Sequence, residues 1–255
     1  MEFFDSHAHY NDEKFAADWE EVQKKIREAG VSRIINAGYN LASSKIAVEM
    51  ANQKEGMYAI CGVSPNDIGE NYQAELWQIE EIAKTEAKVK AIGEIGLDYH
   101  WNEDNKELQK KIFIEQIKIA NRQDKPIVIH SRDAYKDTIH VLKQWEVRKR
   151  GIFHCCQLNC ELVKEALALG YYISLAGACT FKNAKHADEV IKLIPDERLL
   201  IETDSPYLAP EPKRGTRNDS SNLIWIAKKI AEVKQVDVEK IAEITYKNAS
   251  NIFGI

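Results

Sequence analysis

Apolar residues in this chain recur in short runs rich in β-branched side chains. Between the runs they return every three or four positions. Eight runs of the first kind stand at 3–9, 33–37, 57–63, 91–97, 126–131, 151–155, 171–175 and 199–204. The intervening stretches read as amphipathic helices. Segment 106–123 is the clearest, with Leu108, Ile112, Ile114, Ile117, Ile119 and Ala120 near helical spacing. Strand–helix alternation predicts a parallel sheet covered by helices. Eight repeats in 255 residues predict a closed α/β (β/α)8 TIM barrel, one domain spanning 1–255. Segments 223–233 and 238–253 read as closing C-terminal helices. A doubly wound open sheet is the alternative. It lacks support from phosphate-binding motifs, since the chain has neither GxGxxG after its first strand nor GxxxxGK[ST] anywhere.

Polar residues break these apolar runs at one end. His7 and His9, two apart, share a face near the end of the first run. Glu94 lies near the end of the fourth, His130 and His154 near the ends of the fifth and sixth, and Asp204 ends the eighth. The carboxyl ends of the strands of a parallel barrel meet at one face, where barrel enzymes carry their chemistry. A single histidine ending a strand is more often a hydrogen-bonded core or loop residue. Six imidazoles and carboxylates converging on one rim point to a metal site suited to Zn²⁺, Mn²⁺, Fe²⁺ or Mg²⁺. Asp5 and Glu202, on the same alternation and one step deeper, are candidates to orient ligand histidines. They read equally as buried polar groups paired with each other or with lysine.

The net charge of −5 argues against a broadly basic nucleic-acid surface, though not against a small basic patch beside metals. No secretory or membrane-spanning segment is legible, and Met1 leads directly into Glu2-Phe3-Phe4-Asp5, so a cytoplasmic location is expected. The five cysteines (Cys61, Cys155, Cys156, Cys160 and Cys179) include no CxxC pair and read as reduced, mostly buried thiols.

Six runs carry a family resemblance: FFDSHAHY (3–10), AIGEIGLDYHW (91–101), KPIVIHSRDA (125–134), GIFHC (151–155), TFKNA (180–184) and IETDSPYLAPEPKRGTRN (201–218). In this order, over nearly the whole chain, they resemble the TatD family of metal-dependent deoxyribonucleases, within the amidohydrolase-like barrels. The resemblance implies one to three divalent ions, two in the simplest reading. His7 and His9 match the pair binding one ion, Glu94 the bridging carboxylate, and His130 and His154 the ligands of the second. Asp204 matches the aspartate that binds metal and acts on water. A related barrel class has a carbamylated lysine where this chain has Glu94, which favours the TatD-like branch. Two departures stand out. The family's GVHPH, whose histidines meet substrate phosphate, reads GVSPN here, with Ser64 and Asn66 in those places. The family's FHCFSG reads FHCCQLN.

The expected reaction is hydrolysis of DNA phosphodiesters, from strand ends, by metal-activated water. Asp204 accepts the proton, with Glu94 as the other catalytic carboxylate. Arg132, Lys182 and Arg214 are candidates to offset phosphate charge, each also readable as a solvated surface charge. Pro206, Pro210 and Pro212 stiffen the loop after Asp204. The alternatives are an ester or amide hydrolase, for example of a D-aminoacyl-tRNA ester, and a catalytically silent metal-binding partner protein. DNA or another phosphate or ester substrate is the expected partner, with no membrane. The oligomeric state is open, a monomer included.

Overall fold

The computed structural model describes residues 1–101 and 103–255. Its strands are β1 (Phe3–Ala8), β2 (Val31–Ala37), β3 (Met57–Cys61), β4 (Val89–Asp98), β5 (Ile127–Arg132), β6 (Gly151–Phe153), β7 (Tyr172–Leu175) and β8 (Leu199–Ile201). All pair in parallel, each with its neighbour in sequence, in the order β1 to β8. Side-chain and loop bonds carry the ring from β8 back to β1. Ser6 Oγ donates to the Ile201 carbonyl at 2.9 Å. Past the ladder, the Asp204 N–H reaches the His7 carbonyl at 3.0 Å and the His9 N–H reaches the Ser205 carbonyl at 2.7 Å. The result is the expected barrel.

The helices are α1 (Trp19–Glu28), α2 (Leu41–Gln53), α3 (Tyr72–Thr85), α4 (Lys106–Arg122), α5 (Tyr135–Gln144), α6 (Cys160–Ala168), α7 (Ala187–Leu193), α8 (Leu223–Lys234) and α9 (Val238–Phe253). Each turns an apolar stripe onto the sheet. In α4 the stripe contains Ile112, Phe113, Ile117 and Ala120. Alternation along the strands separates two apolar layers. One lies between sheet and helices and includes Phe3, Ile34, Ile92, Ile129, Phe153 and Ile173. The other is an inner cluster of Phe4, Ile35, Ile60, Ala91, Val128, Ile152 and Leu200, met by Ala249 and Phe253 of α9. Helix α9 thus stops one end of the barrel and leaves the carboxyl end for chemistry.

Several strands are shorter at the carboxyl end than their apolar runs. β6 stops before His154, and β8 stops before Glu202. Cys155 and Asp204 then take left-handed backbone, with φ of 39° and 55°, which turns the chain out of the ladder. Alternation in β1 is also imperfect. Its pairing with β2 slips between Phe3 and Phe4 and again between Asp5 and Ala8. Among the described residues no helix is long and apolar enough to cross a membrane. All five cysteines are free, and Cys61, Cys156 and Cys179 are buried.

Candidate metal centre

His7, His9, Glu94, His130, His154 and Asp204 come together at the barrel mouth. Their donor atoms form two groups around the two oxygens of Glu94, and His7 also stands within reach of His154. In the first, His7 Nε2 and His9 Nε2 lie 3.2 Å apart. Asp204 Oδ1 stands 3.9 Å from His7 Nε2 and 3.3 Å from His9 Nε2. Glu94 Oε2 stands 3.6 and 3.7 Å from the same two nitrogens. Donors at the vertices of a tetrahedron, about 2.0–2.1 Å from a central Zn²⁺-like ion, would be roughly 3.3–3.4 Å apart. The observed separations bracket that value. In the second group the other oxygen, Glu94 Oε1, lies 2.8 Å from His130 Nδ1 and 3.2 Å from His154 Nε2. Those two nitrogens are 3.3 Å apart.

The outward nitrogens decide which inward ones carry lone pairs. His9 Nδ1 faces the Ala37 carbonyl at 3.0 Å, a pure acceptor, so that nitrogen carries the proton. His130 Nε2 faces Asp98 Oδ2 at 2.8 Å. His154 Nδ1 faces Glu202 Oε1 at 3.3 Å. In the neutral rings the inward nitrogens of His9, His130 and His154 are therefore lone pairs, aimed at two carboxylates and at one another. Such a set repels itself unless cations or extra protons sit among its members. It fits divalent metal.

Without metal, protons take that role. Burial lowers His130, but its bonds to Asp98 and Glu94 outweigh burial and lift it to about 9. Burial likewise opposes the charged form of His154, and the charge of Glu94 and the bond to Glu202 raise it well above the ordinary imidazole range. Burial would raise Glu94 and Asp204, yet the surrounding imidazoles hold both below the usual carboxylate range. Burial pushes the Cys155 thiol well above its ordinary range. In the metal-free protein it stays a neutral SH group.

Glu202 sits where a ligand-orienting group belongs, and its Oε1 also accepts the Cys155 N–H at 2.6 Å. Asp5 does not touch an imidazole. Its carboxylate accepts from Thr203 Oγ1 and Ser220 Oγ, both at 2.6 Å, and from the backbone N–H of Thr203 at 3.0 Å and His7 at 3.3 Å. The slipped register of β1 explains the difference. Simple alternation puts Asp5 and His7 on one side, whereas Asp5 ties β1 to the chain leaving β8.

A cavity of about 880 Å³ opens over the donors, and Ser64, Asn66 and Arg132 line it. Asn66 Nδ2 donates to Asp98 Oδ2 at 3.0 Å. Lys182 is exposed, and Arg214 stacks 4.2 Å over the Phe181 ring and donates to Asn183 at 3.3 Å. Neither lines the cavity. Asp98 is a site residue that the strand-end reading passed over, although it lies four residues beyond Glu94 on one strand and so on the same face. Asp67, Tyr39, Trp101 and Tyr207 also line the cavity without having been singled out.

Comparison with known proteins agrees with this geometry. The family described as TatD related DNase matches residues 4–254. The chain belongs to the TatD family. Among its relatives, the metal-dependent hydrolase YabD of Bacillus subtilis is 42% identical over 253 residues, covering 99% of each chain. The metal-dependent hydrolase YcfH of Escherichia coli K12 is 33% identical over 259 residues, covering 100% of this chain and 97% of its own. Both carry the word "uncharacterized" in their names. The crystal structure of the TatD homologue YjjV from E. coli K12 superimposes with a TM-score of 0.95 at 27% identity, covering 99% of this chain and 98% of that one. This TatD-family chain is accordingly a metal-dependent hydrolase. Which bond it cleaves is a separate question.

Proposed function

We propose that this protein is a divalent-metal-dependent phosphodiesterase that cleaves DNA from strand ends. The observation that carries the reading is Glu94, whose two carboxylate oxygens face different donors, Oε2 toward His7 and His9 and Oε1 toward His130 and His154. Such a shared carboxylate suits a pair of ions acting together on one phosphoryl group. His7, His9 and Asp204 would hold one ion with Glu94, and His130 and His154 the other. Divalent ions so held supply Lewis-acid chemistry, lowering the pKa of water and polarising phosphoryl oxygen.

The chain's own groups do the rest. Asp204, facing His7 and His9 at 3.9 and 3.3 Å, accepts a proton from the attacking water as the new P–O bond forms. The old P–O bond breaks, and the departing oxygen takes a proton from solvent. Asp98 and Glu202 hold the His130 and His154 rings in place. Arg132, at the cavity wall, offsets phosphate charge.

A second reading, hydrolysis of an aminoacyl ester on tRNA, draws support from Ser64 and Asn66. These are neutral groups where a phosphate-binding histidine pair would offer charge. One experiment separates the readings. Chelated protein reloaded with Mg²⁺, Mn²⁺ or Zn²⁺ is assayed on end-labelled single-stranded DNA and on D-aminoacyl-tRNA. Metal-dependent shortening of the DNA is expected. Release of the amino acid with intact DNA would replace the first reading by the second.

A further inference from the structure

Large exposed aromatic side chains are costly in water, and two of them line the cavity that covers the metal centre. Trp101 is 66% exposed and Tyr207 is 48% exposed. Trp101 follows β4, and Tyr207 follows β8. In a ring of eight strands those two are opposite, so the rings flank the mouth from either side. Glu94 of β4 and Asp204 beyond β8 meet between them, around His7 and His9.

Each of the two residues is anchored beside the centre. The Trp101 backbone N–H donates to Asp98 Oδ1 at 3.2 Å, and Asp98 Oδ2 holds His130. The Tyr207 ring stands edge-on to His9, with centroids 6.5 Å apart. Its hydroxyl donates to Asp12 at 2.9 Å, which sets the ring's orientation before anything binds. Each aromatic also carries a cation. Arg132 lies 5.3 Å over Trp101, and Lys14 lies 4.4 Å over Tyr207.

We infer that Trp101 and Tyr207 are base-stacking platforms on the two sides of the scissile phosphodiester, so that the substrate is a single strand bearing a base on each side of the cut. The inference rests on the phosphodiesterase reading and extends it. A flat aromatic beside a cation is the pairing that holds a base and its phosphate. Every base has a π-face, so the platforms accept any sequence. A paired duplex keeps its bases stacked on each other and cannot use them. The net charge of −5 leaves no broad electrostatic grip, so stacking carries a large share of the hold.

The test crosses protein variants with abasic substrates. Metal-loaded wild type, Trp101→Ala and Tyr207→Ala are titrated with a labelled, hydrolysis-resistant phosphorothioate oligonucleotide and with copies abasic on one or the other side of the modified linkage. Each variant should weaken binding of the full oligonucleotide roughly 5- to 150-fold, the range for losing one stacked base. The loss should vanish on the copy abasic at the matching side, and Trp101→Phe should retain most of the affinity. Both residues are exposed, so melting temperatures should stay within a degree or two of wild type. Loss of affinity that persists on both abasic copies would overturn the inference, as would unchanged affinity in both variants. In either case, DNA cleavage by the wild type leaves the phosphodiesterase reading standing. A wild type that neither binds this oligonucleotide nor cleaves its unmodified phosphodiester counterpart would remove both.

Discussion

At the residue scale the centre depends on which nitrogen of each imidazole holds its proton. Asp98 sets this for His130 through a bond of 2.8 Å, so Asp98→Ala should weaken metal binding by about 10- to 100-fold, as expected when a group behind a ligand histidine is lost. Titration with a competing chelator reads the change, and an unaltered constant would show that Asp98 only packs. Asp204→Asn keeps the shape and removes the proton acceptor. Turnover should fall by about 10² or more with an unchanged melting temperature. A lower melting temperature with a normal rate per folded molecule would make Asp204 structural. Gly96 shows how tight the scaffold is here. A Cβ on it would meet the His130 carbonyl oxygen at 2.0 Å, so β4 approaches β5 this closely beside His130 only because that side chain is absent.

At the element scale the barrel divides labour between its ends. Helix α9 closes one end by packing Phe253 against the inner cluster that includes Phe4. Phe253→Ala should cost about 3–5 kcal/mol of stability. It should leave kcat per folded molecule near wild type, because the donors lie at the other end. Chemical denaturation and an activity assay on one preparation check both halves. A large fall in kcat with intact stability would mean that α9 communicates with the mouth. Helix α4 works differently. Its buried Gln116 grips the Val63 N–H and carbonyl at 2.7 and 2.9 Å. Gln109 grips those of Asp98 at 2.8 and 2.9 Å. Seven residues apart, the two amides lie on one helix face. They satisfy backbone groups where β3 and β4 run out of partners, which steadies the segments bearing Ser64 and Asp98.

At the scale of the whole molecule, metal, protons and stability are linked. In the metal-free protein His130 is raised from 6.5 to about 9. A raised imidazole contributes stability that is complete below its ordinary value and is lost as pH climbs through the higher one. The melting temperature of EDTA-treated protein should therefore decline between pH 6.5 and about 9. Metal must displace the same protons, so its affinity should rise over that window, and loaded protein should gain stability relative to the metal-free form. Differential scanning fluorimetry at both pH values, with and without Mn²⁺, tests the pair of trends. A metal-free melting temperature that is flat across the window would dissociate the imidazoles from folding.

Hydrophobic periodicity by itself determined the barrel, the helix 238–253 and the strand ends at which His7, His9, Glu94, His130, His154 and Asp204 stand. These follow from burial, because the period of two in strands and 3.6 in helices is written in the order of apolar residues. The family motifs added the expected division of those residues between two ions. Tertiary structure decided the rest. The partner of Asp5 depends on a register slip in β1, and a slip is a property of the pair of strands, not of either one. The roles of Asp98 and Glu202 depend on which imidazole each reaches from a nearby strand end. Gln109 and Gln116 interrupt an apolar face for reasons visible only once the backbone ends they satisfy are in place. Trp101 and Tyr207, far apart in the linear chain, come to line one cavity because ring closure sets the fourth strand opposite the eighth.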